Sequence, residues 1–575
     1  MSWIEKISQT VSEAVTGFLG PIANFLEGYV WDWPPQAPLL AIVLLGTGLF
    51  VTLRLGFVQV RGFRHAVAIA SGRYDDPEDE GDLKHYQALT TALSATVGIG
   101  NIAGVAIAIR LGGPGALFWM WVTAFFGMAL KYVECTLALR YRSVHEDGSV
   151  SGGPMYYIEL GLGKSWKWMA VAFASFAVIC SFGSGNMNQS NTMADAMHAH
   201  FGIHPIWTAL VGAILVGMVI IGGIRRIGKV TAVLAPSMAL LYVGGALVVM
   251  AMNISQLPQI FGLIISQAFA PTSLVGGAAG SFLMTLMWGV RRGLFSNEAG
   301  QGSAPIAHAT AKTTEPVREG LVASLGPFID TLVICSMTGF VILVSGAYKD
   351  KLDQRMGLGE VTAVVGQAPT DADLGRLWSE REAQGEGLGT FDVLDGRPQG
   401  GGFVTLNAVI EEPRILDTDG RPWSGSLSVA SDGSLAVVGS GGAALDSLAL
   451  EGKALLTGAP MTAHGFSKAL PGTGGDLIVT LAVLLFAIST AISWSYYGDR
   501  ATEYLVGPRW VPVYRWVYVG FFFLGAILPL SAVWTFGDVA LGLMSFPNLL
   551  ALIMLSGATA AMSREYFSRE HKPFK

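Results

Sequence analysis

The chain has 575 residues, of which 51% are hydrophobic and 14% are charged, and its net charge is -6. A soluble protein of this length carries about 25% charged residues, so the composition argues against a soluble enzyme and predicts a helical protein that crosses a bilayer repeatedly. Nothing in it suggests a nucleic-acid partner.

Four regions follow one another along the chain. Residues 1–35 lack a signal-peptide layout, and their helical apolar spacing predicts an amphipathic helix on the membrane surface. Residues 36–346 contain eight predicted spans, 347–473 form a polar insertion, and 474–575 contain three more spans and a basic tail. The eleven predicted spans are 37–60, 86–110, 115–141, 167–198, 205–223, 229–251, 272–309, 318–346, 474–503, 511–534 and 538–563.

Basic residues gather in alternate connections between these spans. The clusters are Arg54/Arg61/Arg64/Arg73/Lys84, Arg140/Arg142/Lys164/Lys167, Arg225/Arg226/Lys229, Lys312/Arg318, Arg500/Arg509 and Arg564/Arg569/Lys572/Lys575. If all eleven spans cross, every cluster lies on one side, which the positive-inside rule makes the cytoplasm. We therefore expect a bacterial-type inner-membrane protein with its N-terminus outside and its C-terminus in the cytoplasm.

The insertion at 347–473 is predicted to be a small extracytoplasmic α+β domain. Its early segment DADLGRLWSEREAQGEG is typical of short helix and loop. Its later segments GGFVTLNAVIEE and GSLSVASDGSLAVVG alternate as strands do, around Asp-Gly turns. The insertion either has no role in transport, as tolerated surface insertions often do not, or affects specificity.

The second span, TALSATVGIGNIAGVAIAI at 91–109, is apolar at its ends and rich in Gly and polar residues at its centre. Each Gly weakens a helix by about 1 kcal/mol relative to Ala, and polar groups at bilayer depth need partners. This centre predicts a helix that unwinds around a small ligand. Close helix packing is the alternative, and it explains Gly104 better.

A second interrupted span, 272–309, lies five spans later. Five is odd, so equivalent helices of the two halves cross in opposite directions, as an inverted repeat requires. Paired broken helices in such halves indicate a transporter's midplane site. Half-helix N-termini suit a carboxylate, and unwound carbonyls suit Na+. The pattern favours a cation-coupled secondary transporter for a small zwitterion or anion.

Five segments resemble the alanine or glycine:cation symporter family. They are GIGNIAGVAIAIRLGGPGALFWMW, SGGPMYYIELGLG, GNMNQSN, GVRRGLFSNEAGQGSAPIAHA and STAISWSYYGDRATEYL. The resemblance implies an all-α, LeuT-like five-plus-five inverted repeat with one extra N-terminal helix, and Na+-coupled import of alanine or glycine, or H+-coupled import in some members. It implies no enzyme activity and no cofactor apart from the coupling ion. We expect a monomer.

The candidate substrate site draws on four spans. In span two, backbone N–H groups near Gly98 would face the carboxylate, and Asn101 would orient the break. The predicted substrate-binding residues are Thr96, Gly98, Ile99, Gly100, Asn101, Asn186, Gln189, Phe295, Ser296, Asn297, Thr490 and Trp494. Phe295 and Trp494 would leave room for little more than a methyl group, which suits alanine or glycine.

A Na+ site is predicted beside it, by analogy with other proteins of the LeuT-like fold. Carbonyls of Ser94 and Val97 would meet the hydroxyls of Ser489 and Thr490 in span nine, with Phe486 as a further ligand. The alternative for the two hydroxyls is a bond to their own helix.

Other charged residues are expected to be structural. Arg291, Arg292 and Glu298 would form a structural or gating ion-pair set, and Lys131 would pair with Glu134 one turn later. His308 is expected to be structural. Asp330 has no obvious partner and could serve a proton or cation path.

Three rival functions stay open. The same fold could carry glutamine, serine or D-alanine, or use H+. A membrane sensor with an external ligand-binding domain is a different class. A hydrolase using Glu134, Glu298, His308 or Asp330 has no HExxH or GxSxG pattern to support it.

Overall fold

The protein is described from a computed structural model. It describes residues 22, 25–31, 33–34, 39–145, 150–270, 277–358, 361–365, 389–405, 408–417, 419–429, 435–438, 445, 448–472, 474–528, 530–571 and 573–574. Among these, seven helices are long and apolar enough to cross a membrane, and a helix pair bent by 54° makes eight. The chain is a polytopic helical membrane protein.

Sixteen labelled helices precede the insertion among the described residues. They are α1 (Leu39–Arg54), α2 (Val58–Arg61), α3 (Phe63–Ala70), α4 (His85–Thr96), α5 (Val105–Gly112), α6 (Ala116–Arg140), α7 (Pro154–Leu162), α8 (Lys167–Phe182), α9 (Asn188–Phe201), α10 (Pro205–Ile220), α11 (Gly223–Met252), α12 (Leu257–Phe269), α13 (Gly277–Asn297), α14 (Ala304–His308), α15 (Pro316–Pro327) and α16 (Ser336–Ser345). After it come α17 (Gly458–Ala469), α18 (Gly475–Val506), α19 (Val511–Ile527) and α20 (Leu530–Phe567).

Each of the eleven predicted spans contains a helix. In two of these spans the apolar helix, α1 or α10, has only 16 residues, so it is shorter than a typical crossing. The count of eleven crossings and the LeuT-like repeat therefore stay predictions. Residues 1–21 of the predicted surface helix lie outside the described residues. Trp31, from the end of the same segment, is buried and donates its indole N–H to the carbonyl of Asp538 at 2.9 Å.

The insertion contains strands, as its sequence pattern predicts. Apart from the hairpin β1 (Ser143–Val144) and β2 (Val150–Ser151), the described strands are β3 (Lys351–Gly357), β4 (Thr362–Val365), β5 (Gly389–Leu394), β6 (Arg397–Gln399), β7 (Gly401–Thr405), β8 (Ala408–Val409), β9 (Glu411–Leu416), β10 (Gly425–Val429), β11 (Leu435–Val438) and β12 (Ala449–Leu455). They form antiparallel sheets ordered β11-β10-β5-β6, β3-β12-β9 and β4-β7-β8. The predicted helix and loop at 371–387 lie outside the described residues.

The strands enclose a small hydrophobic core of their own. Phe391 lies opposite Leu427 in the register of β5 and β10, and both are buried together with Phe403 and Leu450. The next helix, α17, contacts α16 and α18 and belongs to the helical body. Strands therefore occupy only 351–455 of the predicted insertion, and the chain returns to the body at α17.

Four of the long helices that build the candidate site are irregular. Wide turns with i→i+5 hydrogen bonding occur at Gly100–Gly104, Gly183–Met187 and Phe328–Cys335, and α13 is followed by a non-helical segment before α14. Such turns are common at functional sites because they free backbone groups from the helix. The central helix α18 contacts both α4 and α9, which brings these irregular turns together.

Candidate functional site

The first broken helix opens after Thr96, where Val97 leaves helical geometry with ψ 86°. The N–H of Gly98 donates to Oδ1 of Asn101 at 2.9 Å, and the N–H of Ile99 donates to Oε1 of Gln189 at 3.3 Å. Two amide oxygens thus hold the N–H groups that the sequence assigns to a substrate carboxylate. A carboxylate has to share these donors with them or displace them.

The carbonyl side of the same break faces α18. Oγ1 of Thr490 donates to the carbonyl oxygens of Ser94 at 3.1 Å and of Val97 at 3.4 Å. The hydroxyls of Ser94 and Ser489 share a hydrogen bond, and all four residues are buried. The two hydroxyls therefore bond across to the other helix and not only to their own. This cluster of oxygen atoms is the type of site that a hard cation prefers.

Glycine at this break provides space. Neither Gly98 nor Gly100 has a positive φ, so glycine is not needed there for a left-handed backbone. A Cβ at Gly98 would lie 2.5 Å from Oγ1 of Thr490, and one at Gly100 would lie 2.9 Å from the Phe295 ring. The backbone therefore approaches α18 and α13 more closely than any side chain would allow.

Threonines satisfy carbonyls of the wide turn after the break. Thr338 on α16 donates to the carbonyl of Asn101 at 2.7 Å, and Thr462 on α17 donates to that of Ile102 at 3.0 Å. A wide turn breaks the i→i+4 pattern, and a buried carbonyl left unpaired is costly. The two threonines stabilise the irregular turn from outside it.

The second broken helix has a different geometry. Glu298, Gly300 and Gly302 adopt φ of 55°, 86° and 89°. Asn297 accepts the N–H of Ala299 at 3.0 Å, so its side chain bonds the unwound backbone. The carboxylate of Glu298 accepts the indole N–H of Trp494 at 2.8 Å, which links this break to α18.

Asp330 lies between the two breaks and is fully buried. Its carboxylate accepts the hydroxyls of Ser296 at 2.6 Å and Thr331 at 2.7 Å, and the amide of Asn101 at 2.7 Å. The sequence offered no partner for Asp330. In the described part of the chain its partners are neutral groups from three helices.

A stacked aromatic pair separates the breaks from a cavity on the side of the insertion. Phe295 covers Gly100 and stacks on Trp534 with ring centroids 5.2 Å apart. Trp534 also lines a cavity of about 360 Å³, to which Gln354 and Thr457 from the strand-rich insertion contribute. The insertion therefore forms part of the wall of this vestibule.

The predicted ion-pair set has a different acidic partner. Arg291 and Arg292 both bond to Asp538 on α20 at 2.8 Å, and Arg291 also pairs with Glu27. Glu298 bonds elsewhere, as described above, so the expected grouping of Glu298 with the arginines is wrong.

Glu134 accepts a hydrogen bond from the amide of Asn548 at 2.6 Å, and no direct ion pair joins it to Lys131 among the described residues. Lys131 acts on the Glu134 carboxylate through its charge, so the expected pairing holds only at longer range. At the end of the body away from the insertion, Glu319 lies between His85 and His308, with His308 at 2.5 Å. All three are buried, in keeping with the structural role expected for His308.

Three predicted site residues have their hydrogen bonds or ring contacts elsewhere. The hydroxyl of Thr96 bonds to its own helix at Leu93, and the amide of Asn186 donates to the carbonyl of Tyr518 on α19 at 2.7 Å. The ring of Phe486 packs against Tyr242. Conversely, Thr338, Thr462 and Trp534 were missed, because single hydroxyls and aromatics carry no signal in an apolar helix.

Closely approaching broken helices, an oxygen-rich cluster and two amide side chains at the first break are typical of a membrane transporter of small polar solutes. The family comparison agrees. The model of the sodium:alanine symporter family matches residues 18–372 and 428–574. The chain belongs to this family.

Two named relatives match nearly the whole chain, and a third matches about half of it. The sodium/alanine symporter AgcS of Methanococcus maripaludis is 39% identical over 547 residues, which cover 95% of this chain and 96% of AgcS. The putative sodium/proton-dependent alanine carrier protein YrbD of Bacillus subtilis is 32% identical, with 94% and 91% covered. The probable sodium/glutamine symporter GlnT of the same species is 44% identical over 54% of this chain and 63% of GlnT.

Proposed function

We propose that the protein imports alanine or glycine together with Na+ by alternating access, on a LeuT-like five-plus-five inverted repeat of eleven crossings. The observation that carries this proposal is the meeting of Ser94 and Val97 carbonyls with the Ser489 and Thr490 hydroxyls, directly beside the N–H groups of Gly98 and Ile99. A cation site and a carboxylate site thus share one break.

The shared break accounts for coupling. Na+ between the carbonyls and hydroxyls draws on the same few residues whose N–H groups bind the carboxylate. Each ligand then fixes the geometry that the other needs, and by linkage each raises the affinity of the other by the same factor. The hydroxyls suit this exchange because they can donate to the carbonyls or turn a lone pair to an ion.

The size of the site supports a small substrate. The rings of Phe295 and Trp494 pack against Gly100 and Gly185, whose added Cβ atoms would lie 2.9 and 2.3 Å from them. The alternative substrates, glutamine, serine and D-alanine, share the same main-chain groups and differ only in how they fill this space. The names of GlnT and YrbD keep glutamine and H+ coupling as the second candidates.

In this proposal the strand-rich insertion lies outside the inner membrane, the C-terminus lies in the cytoplasm, and one chain is the working unit. The vestibule beneath the insertion is then the entry for substrate.

Uptake into proteoliposomes tests the function. The purified chain should accumulate labelled alanine and glycine under an inward Na+ gradient and should not accumulate glutamine to the same degree. An inward H+ gradient without Na+ should give little uptake. Uptake driven equally by H+, or faster for glutamine, would replace the proposed substrate or ion. No gradient-driven uptake of any of the three would favour the sensor.

A further inference from the structure

Glu298 joins the second break to the aromatic wall of the proposed pocket. It follows the last residue of α13 and adopts φ 55°, a left-handed conformation that is uncommon outside glycine. One carboxylate oxygen accepts the hydroxyl of Ser303, and the other accepts the indole N–H of Trp494 at 2.8 Å. The side chain therefore spans from the break to α18.

This hydrogen bond is shielded from water. Glu298 is 3% exposed and Trp494 is 1% exposed, so water does not compete for either group. The ammonium group of Lys131 on α6, itself 1% exposed, acts electrostatically on the carboxylate. Losing one partner of a buried hydrogen bond is costly, because the group left behind is unsatisfied.

The other contacts described for the indole ring are apolar. Its ring lies against the backbone of Gly185, where a Cβ would come within 2.3 Å, and it meets Tyr497 edge-on with centroids 5.2 Å apart. Both contacts are apolar, so neither offers the indole N–H a hydrogen-bond acceptor. Among the described residues, its N–H donates to Glu298 alone.

We propose that Glu298 is a positioning residue that fixes the Trp494 ring and thereby sets the upper size limit of the substrate. This rests on the proposed function, in which Trp494 closes the pocket. Without an acceptor at 298 the ring shifts along Gly185, and room opens for a larger aliphatic side chain. Trp494 lies one turn after Thr490, so the same bond also holds the segment of α18 that carries the proposed ion-binding hydroxyls.

A double-mutant cycle tests this with full-length protein in proteoliposomes. The measured quantity is the ratio of Na+-driven kcat/KM for valine to that for alanine. Glu298→Met keeps the side-chain length without an acceptor and should raise this ratio about ten-fold, the effect of losing a buried hydrogen bond. Glu298→Gln retains an acceptor oxygen and should stay within about two-fold of wild type.

Trp494→Phe removes the indole N–H and should raise the ratio at least as much as Glu298→Met. Adding Glu298→Met to Trp494→Phe should then change the ratio by less than about two-fold, because the partner is already gone. Glu134→Met is the matched control: it removes another buried carboxylate, which bonds Asn548, and should keep the wild-type ratio.

Two results overturn the proposal: an unchanged ratio in Glu298→Met, or effects of the two substitutions that multiply. If a variant does not transport, equilibrium binding of labelled alanine and valine to the purified variants supplies the same ratio. Failure of wild-type protein to take up alanine with Na+ would instead reject the proposed function, so the two failures are distinguishable.

Discussion

The two broken helices interrupt their hydrogen bonding by different means. At the first, between Thr96 and Gly100, neither glycine needs a positive φ, and every hydrogen-bond partner of the break is neutral. At the second, three alternate residues, Glu298, Gly300 and Gly302, are left-handed, and two arginines lie about two turns earlier. One break is neutral and closely packed, and the other is charged and conformationally constrained.

This difference suggests that the first break binds the ligands and that the second stabilises the fold. Neutral dipoles can exchange their partners for a zwitterion and a cation without leaving an uncompensated charge in the membrane. Charged groups at the second break bond to fixed partners, such as Asp538 for Arg291 and Trp494 for Glu298. We therefore expect substitutions at the first break to affect ligand binding, and those around the second to affect stability first.

The largest expected effect is at the charged side. Asp538→Asn removes the carboxylate to which both Arg291 and Arg292 bond, and breaking a buried ion pair costs about 3–5 kcal/mol. We expect a marked fall in the Tm of the solubilised protein. Asp476→Asn is the control, since Asp476 pairs with His200 while 42% exposed and should change Tm little. Equal Tm values for the two variants would contradict the charged character assigned to the second break.

The next effect is at the neutral side. Thr490→Val keeps the shape of the side chain and removes the hydroxyl that meets the Ser94 and Val97 carbonyls. We expect the Na+ concentration for half-maximal alanine uptake to rise about 10- to 100-fold, with little change in Tm. Ser495→Ala is the matched control, because that buried hydroxyl bonds only to its own helix at Ile492. A similar loss in both variants would argue against a Na+ site.

A pair of glycine substitutions compares the breaks directly. Gly98→Ala meets Oγ1 of Thr490 at 2.5 Å and should reduce alanine uptake more than it lowers Tm. Gly300→Ala places a Cβ on a residue with φ 86° and within 2.8 Å of Leu44, so it should lower the Tm. The left-handed backbone alone costs about 1–2 kcal/mol of folding free energy for a residue with a side chain. Alanine binding and thermal unfolding of both variants give the answer. If Gly98→Ala instead lowered mainly the Tm and Gly300→Ala mainly alanine binding, the first glycine would not be needed for space near the ligand, nor the second for its backbone conformation.

The smallest effect concerns Asp350, a carboxylate between α16 and the first strand of the insertion. Burial raises the pKa of Asp350, but hydrogen bonds from Lys468 and His464 on α17 outweigh it and hold the pKa below its usual value. The resulting stability is present above the ordinary pKa of Asp and is lost as pH falls through the lower folded value. Wild type should therefore exceed Asp350→Asn in Tm at neutral pH, and the difference should vanish under strong acid. If wild type stayed more stable than Asp350→Asn in strong acid, ionisation of Asp350 would not be the source of the difference in Tm.

Much of the first break was predictable from sequence. Glycines in an apolar span indicate unwinding, and the pairing of carbonyls near Ser94 with hydroxyls at Ser489 and Thr490 follows from the family resemblance. The strands of the insertion were equally readable from their alternation. Their local pattern carries the information.

The partners of charged residues were not predictable in this way. Arg291 and Asp538 are 247 residues apart, and only the packing of α13 on α20 joins them. Sequence proximity suggested Glu298 as the acidic partner of the arginines. The backbone leaves the helix at Glu298, with φ 55°, and the carboxylate bonds to Trp494 on α18. Long-range pairing in a membrane protein depends on which helix faces meet, which a single sequence does not encode locally.

The chain enters the insertion from α16 and leaves it into α17, and these two helices donate the threonine hydroxyls that hold Asn101 and Ile102 of the first broken helix. Arg110, at the far end of α5, also bonds to the carbonyl of Thr405 in β7. The insertion is thus connected to both ends of the half-helix after the break. We expect a displacement of the strands to move that half-helix. An antibody fragment bound to the sheets should therefore change ligand binding at the first break.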